Sequence, residues 1–104
     1  MRSIAHAKAR DDLTVEIDWC EGGRDVVDLR PVAARGGVFA ALADPAFFVA
    51  AMTVENGGYG LVWPRTPATD DEVGGIDISA DSLWYRAHPE EWRKDYGPLD
   101  SAAD

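Results

Sequence analysis

The side chains best suited to chemistry in this chain are acidic, and three of them are consecutive, at Asp70, Asp71 and Glu72. Clustered carboxylates can act as general acids and bases, or they can bind a hard cation such as Ca²⁺. A calcium loop needs alternating oxygen ligands, a central glycine and a later bidentate glutamate. The stretch DDEVGGIDISAD, residues 70–81, does not have that spacing. We therefore expect a solvated connection here rather than an active site.

The other reactive residues are few and scattered. The chain has one cysteine, Cys20, and two histidines, His6 and His88, which are too few for a zinc site of cysteine and histidine ligands. It contains neither the nucleophile elbow of hydrolases nor a glycine motif that cradles phosphates. We expect a non-enzymatic protein with no metal and no other cofactor, and we assign no catalytic residue.

The charge of the chain restricts its partners. With 104 residues it has the size of a single domain, and 19 acidic against 10 basic residues give a net charge of -9. This balance disfavours direct nucleic-acid binding, because phosphate contacts need clustered lysine and arginine. It would instead steer a basic partner toward the surface.

The cellular location follows from cysteine content and hydropathy. A single cysteine excludes an internal disulfide, which fits a reducing compartment. No apolar run approaches the roughly 20 residues of a membrane span, and the first residues lack the apolar core of a signal peptide. These features predict a cytoplasmic protein without a membrane segment.

The first half of the chain has the pattern of an antiparallel sheet. Residues 13–19, LTVEIDW, alternate apolar and polar side chains and predict a half-buried strand. Gly22-Gly23 predicts a hairpin turn, after which a second strand returns through Val27 and Leu29. We also predict an edge strand over residues 3–7.

The second half mixes helical and extended patterns. Residues 36–45, GGVFAALADP, have helical spacing and predict one or two turns, after which Pro45 either ends the helix or opens a further turn. Residues 47–55 alternate again and predict a strand. Asn56-Gly57 then predicts a hairpin, with residues 59–63 as its returning strand. Residues 75–79 are predicted to be extended, with Ser79 as the N-cap of a helix and a further polar helix near residues 89–95.

These elements predict a small single-domain α+β fold. One antiparallel sheet of about four to five strands, built from two hairpins, would pack against two short helices. Trp19, Phe39, Trp63 and Trp84 occupy inward positions of this arrangement and are predicted to lie in the core. An aromatic pocket near two of these tryptophans, with acidic neighbours, is the candidate binding site; its residues are Trp63, Asp77, Asp81 and Trp84.

The order and spacing of several short motifs resemble a bacterial family known as domain of unknown function 2442 (DUF2442). The matching residues are Gly22, Asp28, Leu29, Phe39, Leu42, Asp44, Phe48, Trp63, Pro64, Asp77, Ile78, Asp81, Leu83 and Trp84. We therefore divide the chain into a DUF2442-like domain over residues 1–86 and a polar, acidic extension over 87–104. Residues 66–74 form an insertion relative to the family pattern, so the resemblance assigns them no role.

The resemblance implies a small α+β domain with no established activity. Some members carry a helix-turn-helix domain downstream, which we do not expect here, and many are encoded beside another small protein, as in toxin–antitoxin pairs. We expect a protein-interaction module, in its most specific form the antitoxin-like partner of a small basic protein. The alternative is a small-ligand-binding or regulatory sensor domain that uses the aromatic pocket. A homodimer through an exposed sheet edge remains open under either function.

Overall fold

The fold consists of two small antiparallel sheets joined and covered by helices. The computed structural model describes residues 2–64 and 75–96. The first sheet has the order β1-β2-β3, with β1 at Ile4–Ala9, β2 at Thr14–Trp19 and β3 at Arg24–Asp28. The second has the order β4-β5-β6, with β4 at Thr53–Val54, β5 at Gly60–Pro64 and β6 at Gly75–Ser79.

The helices form two groups along the chain, one between the two sheets and one after the second sheet. Between β3 and β4 come α1 (Arg30–Ala33), a 3₁₀ helix (Gly37–Ala43) and α2 (Pro45–Ala51). After β6 come α3 (Ala80–Ala87) and α4 (Pro89–Tyr96). The predicted α+β class is confirmed, but the described residues form two three-stranded sheets rather than one sheet of four to five strands, and more than two helices cover them.

The two sheets approach each other closely between β1 and the turn before β5. The Ile4 N–H donates to the Gly58 carbonyl at 2.8 Å, and Gly58 is buried there with a φ of 77°. Hydrophobic alternation predicts strands and the turn inside a hairpin, but it does not say whether two hairpins share one ladder. The separation into two sheets was therefore not accessible from the sequence pattern.

The first sheet follows its sequence pattern closely. In β2 the inward residues Val15 and Ile17 have no exposed surface, and Trp19 is 5% exposed. Gly22 and Gly23 have φ values of 105° and 95°, so the predicted turn uses the left-handed region that glycine favours. The predicted edge strand is present and extends to Ala9. The strand, the turn and the edge are all confirmed.

The strand predicted over residues 47–55 is wrong over most of its length, because α2 occupies residues 45–51. The Asp44 carboxylate caps this helix by accepting the Ala46 N–H at 3.1 Å, and Pro45 takes the first helical turn. The paired strand in this region is limited to β4. The apparent alternation was misleading, since Phe48 is fully buried while Ala50 and Val54 are exposed. The cap and the proline determine the local structure here.

Helix α3 closes the core as predicted. The Ser79 hydroxyl caps it by accepting the Ser82 N–H at 3.1 Å, and Leu83 is fully buried. The inward face of α3 packs against β3, β5 and β6, so this helix bridges both sheets. The largest fully buried side chains are Trp63, Phe48, Ile17, Leu29, Leu42, Leu61, Leu83, Val15 and Val27. Of the four predicted core aromatics, Trp19 and Trp63 are buried, whereas Phe39 and Trp84 are half-buried.

Candidate functional site

An open cleft lies beside β6, between that strand, the 3₁₀ helix and the outer flank of α3. Its volume is about 430 Å³, within the range of roughly 300–1,000 Å³ typical of ligand sites. The lining residues are Val32, Arg35, Phe39, Asp77, Ile78, Ser79, Ser82 and Arg86. The cleft therefore combines apolar surface with charged groups and hydroxyls.

The lining divides into an apolar and a polar part. Val32, Phe39 and Ile78 are buried or half-buried and belong to or pack against the core, so their position is fixed by the fold. Arg35 and Asp77 are exposed, and within residues 2–64 and 75–96 neither side chain makes an ion pair or hydrogen bond. These two charges are available to an incoming group.

The backbone of β6 adds further hydrogen-bonding groups to the cleft. In an antiparallel ladder, successive residues direct their N–H and C=O groups alternately to opposite sides of the strand. The Ala80 N–H donates to the Tyr59 carbonyl at 2.8 Å, and Ile78, two residues earlier, lies opposite Leu61. The Ala80 N–H and the N–H and C=O groups of Ile78 therefore point toward β5. Asp77 must therefore direct its N–H and C=O away from β5. No described residue pairs with that outer edge of β6.

This geometry predicts an alternating pattern of amide hydrogen exchange along β6. We expect slow exchange at Ile76 and Ile78, whose amides bond to β5, and fast exchange at Asp77, whose amide faces the cleft. The measurement is two-dimensional NMR after transfer to deuterated water. Equal protection at all three amides would contradict the assignment of an open edge.

The predicted binding residues do not converge on one surface. Asp77 lines the cleft. Asp81 and Trp84 lie on another flank of α3, where both contact Arg2: the Asp81 carboxylate accepts the Arg2 N–H at 3.0 Å, and the Arg2 guanidinium lies 3.9 Å from the Trp84 ring centroid. Trp63 is fully buried, and its indole N–H donates to the Phe48 carbonyl at 3.0 Å.

The cleft therefore does not coincide with the aromatic pocket expected near Trp63 and Trp84. The aromatic residue that lines the cleft is Phe39. The sequence also gave no indication of Arg35, since an isolated arginine in a loop carries no motif. Ser82 and Arg86 could have been paired from their spacing, because residues four apart share a face of a helix.

A second cluster of polar and aromatic side chains surrounds Asp25 on β3. The Asp25 carboxylate accepts the Trp19 indole N–H at 2.7 Å, and the same oxygen lies 2.8 Å from His88 Nε2. The His88 ring stacks on Trp84, with ring centroids 4.3 Å apart. The contact between His88 and Asp25 attaches the end of α3 to the first sheet.

Ion pairs lie on the exposed face of the first sheet and where β3 leads into α1. Arg24 donates its Nε–H to Asp18 at 2.6 Å, and this hydrogen bond lowers the pKa of the Asp18 carboxyl below its usual range. Arg30 makes a bidentate contact with Asp28 at 2.9 and 2.8 Å, which lowers the pKa of Asp28 in the same way. Because these groups are solvent-exposed, each pair contributes little stability by itself.

These shifts predict that the fold loses stability in acid. A carboxyl whose pKa is lowered by folding stabilises the native state above its unfolded pKa, about 3.9 for aspartate, and loses that contribution as the pH falls through the folded value. We expect the midpoint temperature of thermal unfolding to decrease when the pH is lowered below about 4. A variant with both Asp18→Asn and Asp28→Asn is expected to have a flatter profile; an unchanged acid profile would contradict the role of these two pairs.

The fold and the cleft define a small α+β domain with an open strand edge, and the described ranges contain no group of three residues suited to hold a metal ion. A family model described as "Protein of unknown function (DUF2442)" matches residues 4–89. The chain belongs to this family. Searches of curated proteins and of solved structures find no match.

The described helices are all too short or too polar to cross a bilayer. The family match ends within the first turn of α4 and includes residues 66–74. The acidic residues 70–72 and the insertion 66–74 lie outside the described residues, as does the chain from residue 97 onward. The division into residues 1–86 and 87–104 remains a prediction.

Proposed function

We propose that this chain is a non-enzymatic protein-interaction module that binds an extended segment of its partner along the outer edge of β6. The observation that supports this most strongly is the outward-facing backbone of Asp77 beside an open cleft with an apolar lining. An extended segment can add a strand to such an edge, with main-chain hydrogen bonds providing affinity.

The cleft also offers a basis for specificity. Side chains of an added strand point alternately to its two faces, so every second one can reach Val32 and Phe39, while the others meet Asp77 and solvent. Soluble proteins usually cover or charge an exposed strand edge to prevent unwanted pairing. Here Asp77 charges that edge, but no described residue covers it.

We propose a small basic protein as the partner, in an antitoxin-like pair acting in the cytoplasm. The net charge of -9 supports attraction of a positively charged molecule over long range. Many carboxylates are already engaged within the chain; they are those of Asp12, Glu16, Asp18, Glu21, Asp25, Asp28, Asp44 and Asp81. The charge therefore serves to steer the partner, while the β6 edge supplies the contacts that hold it.

The test is co-expression with the product of the adjacent gene, followed by co-purification across a salt series. Asp77→Pro removes the outward N–H, and proline is tolerated on an edge strand when its nitrogen faces outward. Asp77→Ala removes the carboxylate but keeps the N–H and is the matched control. We expect Pro to weaken retention about tenfold, a loss of roughly 1.4 kcal/mol, and Ala to weaken it less. Equal retention of all three forms, or no partner even at low salt, would contradict the proposal.

A small-ligand-binding or regulatory sensor function is the second candidate. It is favoured by the presence of Arg35, Ser79 and Ser82 in the lining of the cleft, a set of donors suited to a small anion. A thermal-shift screen with carboxylate and phosphate metabolites tests it, with Arg35→Ala as the variant. A stabilising compound whose effect disappears in Arg35→Ala supports this function, whereas an effect that persists in the variant argues against this site.

A further inference from the structure

The exposed edge of β3 has the residue pattern of a self-complementary interface. The Trp19 N–H donates to the Gly23 carbonyl, and the Leu29 N–H donates to the Leu13 carbonyl, at 3.0 and 2.9 Å. The N–H and C=O groups of successive residues point to alternate sides of a strand, so those of the odd-numbered residues from 23 to 29 point toward β2. Arg24, Val26 and Asp28 consequently direct their N–H and C=O groups outward. No described residue forms a backbone pair with them on that side.

The side chains of these three residues also share the exposed face of the first sheet. Val26 lies at the centre of this face and is 49% exposed. Arg24 and Asp28 flank it at equal distances along the strand, one positive and one negative. On this face, an apolar residue, Val26, therefore lies between a positive and a negative side chain, Arg24 and Asp28.

We propose that two copies of this chain form a two-fold symmetric dimer by antiparallel pairing of their β3 strands, centred on Val26. In this register Val26 lies opposite Val26 of the partner subunit, and Arg24 lies opposite Asp28 of the partner subunit. All three outward-facing residues then become hydrogen-bonded pairs, and the two first sheets become one continuous sheet. This interface uses a different edge from the proposed binding cleft and does not depend on that function.

The charges of Arg24 and Asp28 can serve both subunits. Arg24 already contacts Asp18 through Nε and Glu16 through one terminal nitrogen, and Asp28 accepts from Arg30. A guanidinium has five N–H donors and a carboxylate has about four acceptor positions, so each group retains capacity for a further contact. Their side chains are 61% and 44% exposed, which leaves them accessible to a second copy.

The other open edges lack this complementarity. Two-fold pairing of β1 centred on Ala7 would place His6 opposite Lys8 of the partner subunit, and edge lysines are a common device against pairing. Two-fold pairing of β6 centred on Asp77 would place two carboxylates directly opposite each other, which is destabilising. Among these described edges, β3 is the one whose charges attract in a symmetric pair.

The dimer is tested by sedimentation velocity across a wide range of concentration. We expect the mass to rise from 11.3 kDa toward twice that value. Val26→Lys places two ammonium groups face to face and is expected to raise the dissociation constant at least roughly tenfold. Val38→Lys is the matched control, because Val38 is 62% exposed and lies on the 3₁₀ helix, away from β3.

A second variant separates loss of the dimer from loss of folding. Val26→Pro removes the outward N–H at the centre of the proposed ladder, and an edge strand tolerates proline in that position. Circular dichroism and thermal unfolding establish that each variant is folded. A wild-type monomer at every concentration would overturn the proposal, as would a dimer that persists in folded Val26→Lys or Val26→Pro. A dimer lost in both, but retained in Val38→Lys, supports it.

Discussion

Trp63→Ala is expected to lower the free energy of unfolding by about 3–5 kcal/mol, the usual cost of truncating a buried aromatic residue. Trp63 has no exposed surface and is one of the largest buried side chains. Its ring lies 5.3 Å from that of Phe48, with an interplanar angle of 31°. Total stability for a domain of this size is about 5–15 kcal/mol, so the variant is expected to be near its folding limit.

The hydrogen bond of Trp63 accounts for part of this effect. Its indole N–H donates to the Phe48 carbonyl, which belongs to the last turn of α2 and lacks an amide partner within the helix. Trp63→Phe keeps an aromatic ring but leaves this buried carbonyl unsatisfied, at an expected cost of about 1–3 kcal/mol. Urea unfolding measures the loss of free energy in Trp63→Ala and in Trp63→Phe, provided that the dependence of that free energy on urea concentration is unchanged. Half-buried Trp84 provides the control, and a larger loss for Trp84→Ala than for Trp63→Ala would contradict the assigned core.

Gly58→Ala is expected to destabilise the fold by about 3 kcal/mol or more, because two penalties combine. Gly58 has a φ of 77°, which costs a residue with a Cβ roughly 1–2 kcal/mol. A Cβ there would also lie 2.4 Å from the Ile4 carbonyl oxygen and 2.9 Å from its nitrogen. Those atoms belong to β1, so the contact cannot be relieved without moving the two sheets apart.

Gly57→Ala is the matched control for this substitution. Gly57 has a similar φ of 89°, but the atoms that a Cβ at this position would approach most closely belong to the flexible Tyr59 side chain, the nearest at 2.6 Å. Tyr59 is 55% exposed and can turn away, so the expected cost is the backbone term alone, about 1–2 kcal/mol. Urea midpoints of the two variants give the comparison. Equal losses would show that the approach of Gly58 to β1 does not hold the sheets together.

The parts of the fold that the sequence predicts correctly are those governed by local patterns. The alternation in β2, the glycine turn before β3 and the Ser79 cap each depend on neighbouring residues, and each is confirmed. The error at α2 arose where two local signals competed. There, alternating side chains suggested a strand, while Pro45 either ended the preceding helix or opened a further turn. The second alternative corresponds to the structure, in which Asp44 caps α2.

The candidate site is less predictable because it depends on long-range assembly. Asp77 was identified from its family motif, but its role at an open edge follows from the order of strands in the second sheet. Arg35 and Phe39 reach the same cleft from a region some forty residues earlier in the chain. Trp63, which the sequence placed both in the core and at the candidate binding site, lies in the core. Aromatic composition does not distinguish a pocket from a core, since both bury large side chains.

The most direct test of the proposed interaction at β6 is hydrogen exchange at the Asp77 amide, with and without the co-purified product of the adjacent gene. In the free chain this amide faces the cleft and should exchange quickly, while that of Ile78 is bonded to β5 and should exchange slowly. Strand addition predicts that the partner slows exchange at Asp77 and leaves Ile78 nearly unchanged. A bound partner that leaves the Asp77 amide unprotected would show that the chain binds through another surface.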